Sequence, residues 1–191
     1  MRRTFRFDDI SLNTNCEKFV QILSLLKCRF PDSDVLLGIS CLIHDMSSEE
    51  ERKQERIFPE ILNAYSDHKV FYNVQKAGIP NHIIQNAREV YPSLKLAGHG
   101  LIHVDHRLLN EEAQEMSIII SCSLCNSDIF IPPFNKYNAH TEKICSKMGI
   151  KLIKFEDGWR HLLYNSIDEK NDKYYIHTHD VTIEQFEEKI S

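Results

Sequence analysis

Basic charge and long apolar runs are scarce in this sequence. Its 191 residues include 28 acidic and only 23 basic side chains, so the net charge is −5 and no basic surface for nucleic acid or anionic lipid is expected. No apolar run approaches the length of a membrane span, and we expect no transmembrane segment. These absences remove nucleic-acid binding and membrane insertion from the expected functions.

A regular cysteine framework is also missing. The six cysteines are scattered at uneven intervals within apolar stretches, which is typical of a reducing compartment. The segment Met1–Phe7 reaches the first predicted strand so early that no room is left for a signal peptide. We therefore predict a cytoplasmic protein. Cys122 and Cys125 have no second pair to complete a metal site, so we expect them to pack in the core.

Composition and periodicity predict one α/β domain over residues 1–191, without repeats or linkers. Short apolar segments alternate with segments of helical periodicity, which favours a mostly parallel sheet. We predict six or seven strands in a distorted or incomplete β/α barrel, with an open doubly wound sheet as the alternative. The predicted strands are Thr4–Phe7, Asp34–Ile39, Val70–Val74, Leu94–Ala97, Ile129–Ile131, Lys151–Phe155 and Lys173–Ile176.

The predicted helices have recognisable ends. Thr14 and Glu17 have the spacing of a capping box, Asn110 is a candidate N-cap, and Gly149 is suited to end a helix. The charged stretch 47–60 is expected to be a solvated loop or a helical insertion. The helices are one that follows Thr14, then Asn81–Val90, Asn110–Cys122, Asn138–Met148 and Ile183–Ile190.

Residues with metal and acid–base chemistry follow the ends of predicted strands. Active sites of β/α barrels form at the carboxyl ends of their strands. A carboxylate, two histidines four residues apart and further histidines are the ligands, base and acid that a hydrolytic metal site needs. The residues are Asp8 and Asp9, His99 and His103, and His177 and His179.

Two of these pairs suggest how a metal would be held. Neighbouring carboxylates repel when both are ionised, so Asp8 and Asp9 favour a site in which a metal stabilises one of them. Strand alternation points them to opposite faces, but past the end of a strand both can turn toward one pocket. His99 and His103 have the spacing to meet at one ion from a single helical turn, as paired zinc ligands do.

The remaining histidines carry weaker signals. Asp105 and His106 are candidates to orient the two histidine ligands, and exposure of His106 is the alternative. Five others have no matching constellation and are expected to be surface or core residues. These are His44, His68, His82, His140 and His161.

Taken in order, the first motifs resemble those of the polysaccharide deacetylases, the NodB-homology proteins of carbohydrate esterase family 4. Phe7-Asp8-Asp9 resembles the first motif, which implies that Asp8 is the base and Asp9 a metal ligand. His99-Gly100-Leu101-Ile102-His103 resembles the second motif, H-[ST]-x-x-H, and implies that both histidines are ligands. Gly100 replaces the usual hydroxyl residue of that motif.

Later segments extend the resemblance over nearly the whole chain. Residues 132–138 are similar to the third motif, R-x-P-[FY]-G-x-x-N, which implies that the backbone N–H of Phe134 serves the oxyanion. Residues 155–159 partly resemble the fourth motif. Tyr175-Ile176-His177 resembles the fifth motif, which carries the acid histidine, and His179 is the alternative acid.

The sequence departs from the third motif at two positions. Ile131 stands where the family has an arginine that contacts the base, and Asn135 stands where it has glycine. Strand alternation places Arg6 on the same side as Asp8, so Arg6 is a candidate to replace the arginine. Arg160 is the other candidate.

The resemblance implies one divalent ion, zinc first and cobalt, nickel or manganese otherwise, held by Asp9, His99 and His103. The implied activity is metal-dependent removal of an acetyl group from an N-acetylated sugar. The predicted cytoplasmic location favours, as the substrate, a nucleotide- or lipid-linked sugar of surface-polysaccharide biosynthesis over a polymer. Candidate substrate contacts are Asn135, Asn138 and Trp159, with Phe134, Tyr137 and Trp159 as aromatic rings able to stack on a sugar.

Two alternative functions remain open. A non-catalytic metal- or sugar-binding module on the same fold is favoured by Ile131 in place of the arginine. A metal-dependent phosphoesterase would use the His177 and His179 pair around two or three ions, so the number of ions per chain separates it from a deacetylase.

Overall fold

Seven parallel strands form one sheet in the part of the chain that the computed structural model describes, residues 2–40, 78–101, 103–168 and 170–191. The predictions for Val70–Val74 and for the stretch 47–60 lie outside these residues. The strands are β1 (Thr4–Ile10), β2 (Asp34–Ile39), β3 (Lys95–Gly98), β4 (Ile129–Phe130), β5 (Lys151–Leu152), β6 (Arg160–His161) and β7 (Lys173–His177).

The sheet curls into a half-barrel. Its strand order is β5-β4-β3-β2-β1-β7-β6, and each neighbouring pair is parallel. Because β5 and β6 are the two edges, the described strands do not close on themselves. The prediction of an incomplete β/α barrel is therefore confirmed. Parallel strands direct all their carboxyl ends to one end of the sheet, where β1 and β7 are neighbours.

Helices cover the outer face of this half-barrel. They are α1 (Cys16–Arg29), α2 (Asn81–Val90), α3 (Glu111–Leu124), α4 (Ala139–Met148) and α5 (Ile183–Ile190). No helix in these described ranges is long and apolar enough to cross a membrane. Helix α3 buries Cys122 near its end and Cys125 just after it, as core packing predicts.

Strand alternation gives the sheet two different faces. On β1, Phe5 and Phe7 join the large outer core beneath the helices. Arg6 and Asp8 are equally buried and belong to the opposite, inner face. A smaller apolar cluster lines that inner face, and its buried members are Leu36, Ala97, Ile131, Ile153 and Trp159. The inner face therefore combines apolar packing with buried charge.

Side-chain caps fix the helix ends. Asn110 accepts from the Ala113 N–H and starts α3, as predicted. Gly149 ends α4 in the left-handed conformation, with φ of 67°. The N-cap of α1 is Asn15, which accepts from the Lys18 N–H, so the prediction of Thr14 is wrong by one residue. Thr14 instead accepts from the N–H of Ser11 and shapes the loop before the helix.

Strand ends differ more from the predictions than helix ends do. Strand β1 continues beyond Phe7 to Ile10 and so contains both aspartates. Strands β4 and β5 stop after two residues each, earlier than predicted. Strand β6 is a two-residue strand that was not predicted, and it exists through its pairing with Tyr174 and Tyr175 of β7.

Candidate functional site

An irregularity at the end of β1 brings both aspartates to one pocket. Asp9 has φ of 63°, and the pairing of β1 with β2 shifts register between Phe7 and Ile10. A left-handed residue interrupts strand alternation, so Asp9 is not sent to the face opposite Asp8. Aspartate tolerates this conformation better than most residues, and such strain is common at functional sites.

Two histidines converge on Asp9. The Nε2 atoms of His99 and His103 lie 3.0 Å and 2.9 Å from the same oxygen, Asp9 Oδ1. His99 follows β3 directly, and neither histidine lies in a helix, so the predicted helical turn is wrong. Gly100, with φ of 81°, turns the chain between them. The predicted order of ligand residues thus yields a cluster of three potential ligands.

The His99 ring has a fixed orientation. Its Nδ1 lies 2.8 Å from the carbonyl oxygen of Ile131, which can only accept, so Nδ1 carries the proton. Its Nε2 then faces Asp9 Oδ1 at 3.0 Å. With the proton on Nδ1, a neutral ring would have its lone pair on Nε2, the form in which histidine binds a metal ion. A backbone carbonyl that orients a histidine ligand is a common feature of metal sites.

The charge of Asp9 is stabilised in this cluster. Burial alone would raise its pKa, but the adjacent His103 and His99 hold the pKa of Asp9 well below its ordinary value. The spacing also suits zinc, whose bonds of about 2.0–2.2 Å in tetrahedral geometry separate ligand atoms by roughly 3.3 Å. Asp9, His99 and His103 would hold such an ion as three protein ligands and would leave it free to activate a water molecule.

His177 lies on the other side of the Asp9 carboxylate. Its Nε2 is 3.7 Å from Asp9 Oδ2, and its Nδ1 is 3.2 Å from Asp180 Oδ2. Burial lowers the pKa of His177, but Asp180 and Asp9 outweigh that effect and raise it to about 9. His179 is the more exposed of the two histidines, and its Nε2 is 4.0 Å from Asp9 Oδ2.

Asp180 is a site residue that the sequence prediction missed. Its carboxylate contacts both His177 and His179, the second at 3.3 Å. The available signal was an acidic residue directly after His177-Thr178-His179, in the short turn that follows β7. The contact explains why His177 keeps a proton on Nδ1 and directs Nε2 into the pocket.

A second cluster of potential ligands consists of His161, His177 and Asp180. His161 is less suited to hold an ion, because its Nδ1 accepts from the Leu163 N–H. The proton of the neutral ring then lies on Nε2, and neither nitrogen has a lone pair to offer. Its proximity to His177, with ring centroids 5.6 Å apart, was not predicted.

Asp8 is held by the arginine that strand alternation indicated. Arg6 Nη2 lies 2.8 Å from Asp8 Oδ2, and both side chains are buried. The predicted contact between Arg6 and Asp8 is confirmed. Arg160 instead pairs with Asp168 near the surface, so that alternative is wrong. The second oxygen, Asp8 Oδ1, has no hydrogen-bond partner among the described residues.

The turn Pro133–Asn135 forms the wall beside His103. Phe134 and Asn135 both have left-handed backbones, with φ of 56° and 55°. The ring centres of Phe134 and His103 are 4.3 Å apart. The next two amides donate to the carbonyls of Pro132 and Pro133, whereas no described residue accepts from the Phe134 N–H. The backbone group predicted to serve the oxyanion is thus free of a partner in these residues.

The three candidate substrate contacts have other partners. Asn135 accepts from Arg6, and Asn138 caps α4 by accepting from the Thr141 N–H. Trp159 is 6% exposed and packs on the Arg6 guanidinium, so the prediction that its ring is open to a sugar is wrong. Substrate contacts of Asn135 and Asn138 stay predictions.

The predicted supports of the histidine ligands also have other roles. Asp105 pairs with Arg107, and the fully buried His106 contacts Val104 O and Ser117 Oγ at 3.1 Å and 3.0 Å. Both the proposed orienting role and the exposed alternative for His106 are therefore wrong. The group that orients His99 is the backbone carbonyl of Ile131, which no side-chain pattern reveals.

No protein-family model and no curated protein matches the sequence. Solved structures do match, among them a family 4 carbohydrate esterase from Streptomyces lividans in complex with acetate. Its TM-score is 0.53 at 10% identity, covering 99% of this chain and 87% of that one. A peptidoglycan N-acetylglucosamine deacetylase matches with a TM-score of 0.57 at 12% identity, covering 99% of this chain and 79% of that one.

The matches include a family 4 pseudoenzyme from Bacillus anthracis. Its TM-score is 0.50 at 12% identity, covering 99% of this chain and 59% of that one. A mutant of that pseudoenzyme with restored enzymatic activity matches with a TM-score of 0.54 at 13% identity. Identities this low show a shared fold alone. The chain therefore has the fold of the family 4 carbohydrate esterases, as the order of its motifs predicts.

Proposed function

We propose that this protein is a metal-dependent hydrolase that removes the acetyl group from an N-acetylated sugar. The observation that carries the proposal is the convergence of His99 and His103 on one Asp9 oxygen, with His99 Nδ1 held by the Ile131 carbonyl so that Nε2 faces the cluster. A single divalent ion, zinc by the nitrogen-rich ligands and their spacing, fits these three residues. When bound, it polarises the acetyl carbonyl and acidifies a water molecule.

The chain's own groups supply the remaining chemistry. Asp8 keeps Oδ1 without a partner and is placed to take a proton from water. The N–H of Phe134 donates to the developing oxyanion. His177 gives a proton from Nε2 to the leaving amine, while Asp180 holds the opposite nitrogen. We favour His177 over His179 because it lies closer to Asp9 and is less exposed.

The fold supports the proposed substrate class. One protein of the same fold is named a peptidoglycan N-acetylglucosamine deacetylase, which supports an N-acetylated sugar. We further propose a single catalytic domain over residues 1–191 that acts in the cytoplasm, where a nucleotide- or lipid-linked sugar of surface-polysaccharide biosynthesis is the accessible substrate. The uneven cysteine pattern supports that compartment.

Metal content tests the ligand assignment without any assay of activity. Wild-type protein loaded with zinc and then desalted should retain one ion per chain, and His99→Ala or His103→Ala should lose most of it. His82→Ala is the matched control, because His82 is an exposed histidine on α2. Equal zinc content in all four proteins would reject the assignment, and two or three ions per chain would favour a phosphoesterase.

Acetate release tests the chemistry. Zinc-loaded wild type should release acetate from at least one N-acetylated nucleotide sugar, and Asp8→Asn should release it roughly 10²-fold more slowly with its zinc retained. Asn keeps the shape of the side chain but cannot take the proton. Full turnover by Asp8→Asn would show that another group is the base.

A non-catalytic module on the same fold is the second candidate. It is favoured by Ile131 at the arginine position and by the existence of a pseudoenzyme with this fold. Zinc-loaded protein that binds an N-acetylated sugar but releases no acetate would select it over the hydrolase.

A further inference from the structure

Arg6 is a fully buried charged side chain on the inner face. It is 0% exposed, and it lies within strand β1 two residues before Asp8. Arginine is seldom fully buried unless it is paired, because loss of its hydration is unfavourable. A cation in this position therefore needs specific partners, and those partners indicate what it does.

One nitrogen of Arg6 connects two parts of the pocket. Its Nη2 is 2.8 Å from Asp8 Oδ2 on β1 and donates at 2.7 Å to Asn135 Oδ1. Asn135 ends the turn that carries the Phe134 N–H. The same guanidinium group thus contacts the proposed base and the segment that bears the proposed oxyanion donor, although these are more than a hundred residues apart in sequence.

Aromatic rings hold the guanidinium group in place. Its central carbon lies 4.8 Å from the ring centre of Trp159 and 4.8 Å from that of Tyr175. The negative faces of the rings attract the cation, while Nε and Nη1 have no hydrogen-bond acceptor among the described residues. The rings therefore stabilise the charge of the group, and its hydrogen bonds are concentrated on Nη2.

We propose that Arg6 is the positioning residue of this site, which fixes the Asp8 carboxylate and the Phe134 turn relative to each other. The proposal deepens the hydrolase function above and rests on it. With Oδ2 held by Arg6, Asp8 directs its other oxygen, Oδ1, toward Gly38 and His99. Asn135 acts through Arg6 in this arrangement, because its side-chain oxygen is occupied by that contact.

Ile131 offers a position from which the charge can be restored. A Cβ placed on Gly38 would lie 3.1 Å from Asp8 Oδ1 and 3.3 Å from the Ile131 Cδ1 atom. The end of the Ile131 side chain is therefore close to Asp8. An arginine at position 131 can reach the same carboxylate from the end of β4. The backbone carbonyl of residue 131, which accepts from His99, is kept in this variant.

Steady-state kinetics test the positioning role. Zinc-loaded Arg6→Met should show kcat lowered about 10²-fold with KM within about twofold of wild type, because misplaced reacting groups slow the chemical step. Arg6→Met combined with Ile131→Arg should recover at least about tenfold of that loss. Arg160→Met, which removes an exposed arginine paired with Asp168, is the control and should leave both constants unchanged.

A result of unchanged kcat in Arg6→Met, or a loss that appears only in KM, would overturn the proposal. If Arg6→Met does not fold, Arg6→Lys decides in its place. It should keep the fold and zinc but lower kcat, because a lysine ammonium is a strongly hydrated point charge and lacks the planar group that contacts the rings of Trp159 and Tyr175. Wild-type kcat in Arg6→Lys would likewise overturn it.

Unfolding measurements separate failure of this proposal from failure of the hydrolase function. In zinc-free protein, the double variant Arg6→Met with Asp8→Asn should be no less stable than Arg6→Met alone, because the two charges act as a pair. Additive losses of stability would show that Arg6 and Asp8 are not coupled, whatever the protein catalyses. Coupling without any acetate release would keep the pair and reject only the hydrolase function.

Discussion

His106 shows how one buried residue makes stability depend on pH. It is fully buried, and its ring lies between the carbonyl of Val104 and the hydroxyl of Ser117. Burial lowers the pKa of His106 from 6.5 to about 4. The unfolded chain therefore binds a proton between these pH values that the folded chain does not, so the stabilisation is complete above 6.5 and is lost as pH falls toward 4.

The expected loss is about 2 kcal/mol between roughly pH 8 and pH 5, from the shift in pKa alone. Urea unfolding of wild type and of His106→Gln at the two pH values measures it, with a chelator present so that zinc binding does not contribute. The variant should lose about 2 kcal/mol less than wild type. The same pH dependence in both proteins would mean that other histidines cause it.

At the scale of single residues, the identity of the side chains and their alternation along a strand predicted much of the site. The order of Asp9, His99 and His103 predicted the cluster, and alternation along β1 predicted the contact between Arg6 and Asp8. The burial of Trp159 was not predictable, because it depends on packing between segments far apart in sequence. Nor does any residue type signal that a backbone carbonyl, that of Ile131, orients His99.

Among the elements, the contact between β3 and α3 depends on a missing side chain. A Cβ on Gly98 would lie 2.7 Å from Ser121 Oγ, 2.8 Å from the backbone nitrogen of Cys122 and 2.9 Å from Cys122 Sγ. A backbone atom cannot move away as a side-chain end can. Gly98 therefore allows α3 to pack closely against the strand that leads into His99.

Gly98→Ala should destabilise the protein by about 1–3 kcal/mol, the usual effect of overpacking. For a chain of this size that corresponds to a melting temperature lower by about 2–12 °C. Lys95→Ala, an exposed change in the same strand, is the control and should have little effect. If Gly98→Ala has the melting temperature of wild type, α3 can move away from β3 without loss of stability, and the close contact is not required.

Elements with local signals matched the predictions best. Helices Asn81–Val90 and Ile183–Ile190 have the predicted bounds, since helical periodicity and end signals are contained within the segments themselves. The two-residue strands β4, β5 and β6 did not match, because a strand that short is defined by its neighbours. Likewise, the bulge at Asp9 arises from the pairing of β1 with β2 and leaves no pattern in β1 alone.

For the whole molecule, the candidate metal site joins segments that are far apart along the chain. Asp9 belongs to β1, an interior strand of the sheet, and His99 and His103 follow β3. Their three ligand atoms come together only when the strands are paired, so the unfolded chain has no comparable site. A metal ion that binds the folded state alone raises the free energy of unfolding by mass action.

Zinc should therefore raise the melting temperature of the wild-type protein. Free zinc at about 100 times its dissociation constant adds roughly 2.7 kcal/mol, which corresponds to about 5–10 °C for a chain of this size. Thermal unfolding followed by circular dichroism, with a chelator or with zinc, gives the difference directly. His103→Ala should lose most of the shift because it removes one of three ligands, whereas His82→Ala should keep it. An equal shift in both variants would contradict the site, because it would mean that the stabilising ion binds elsewhere.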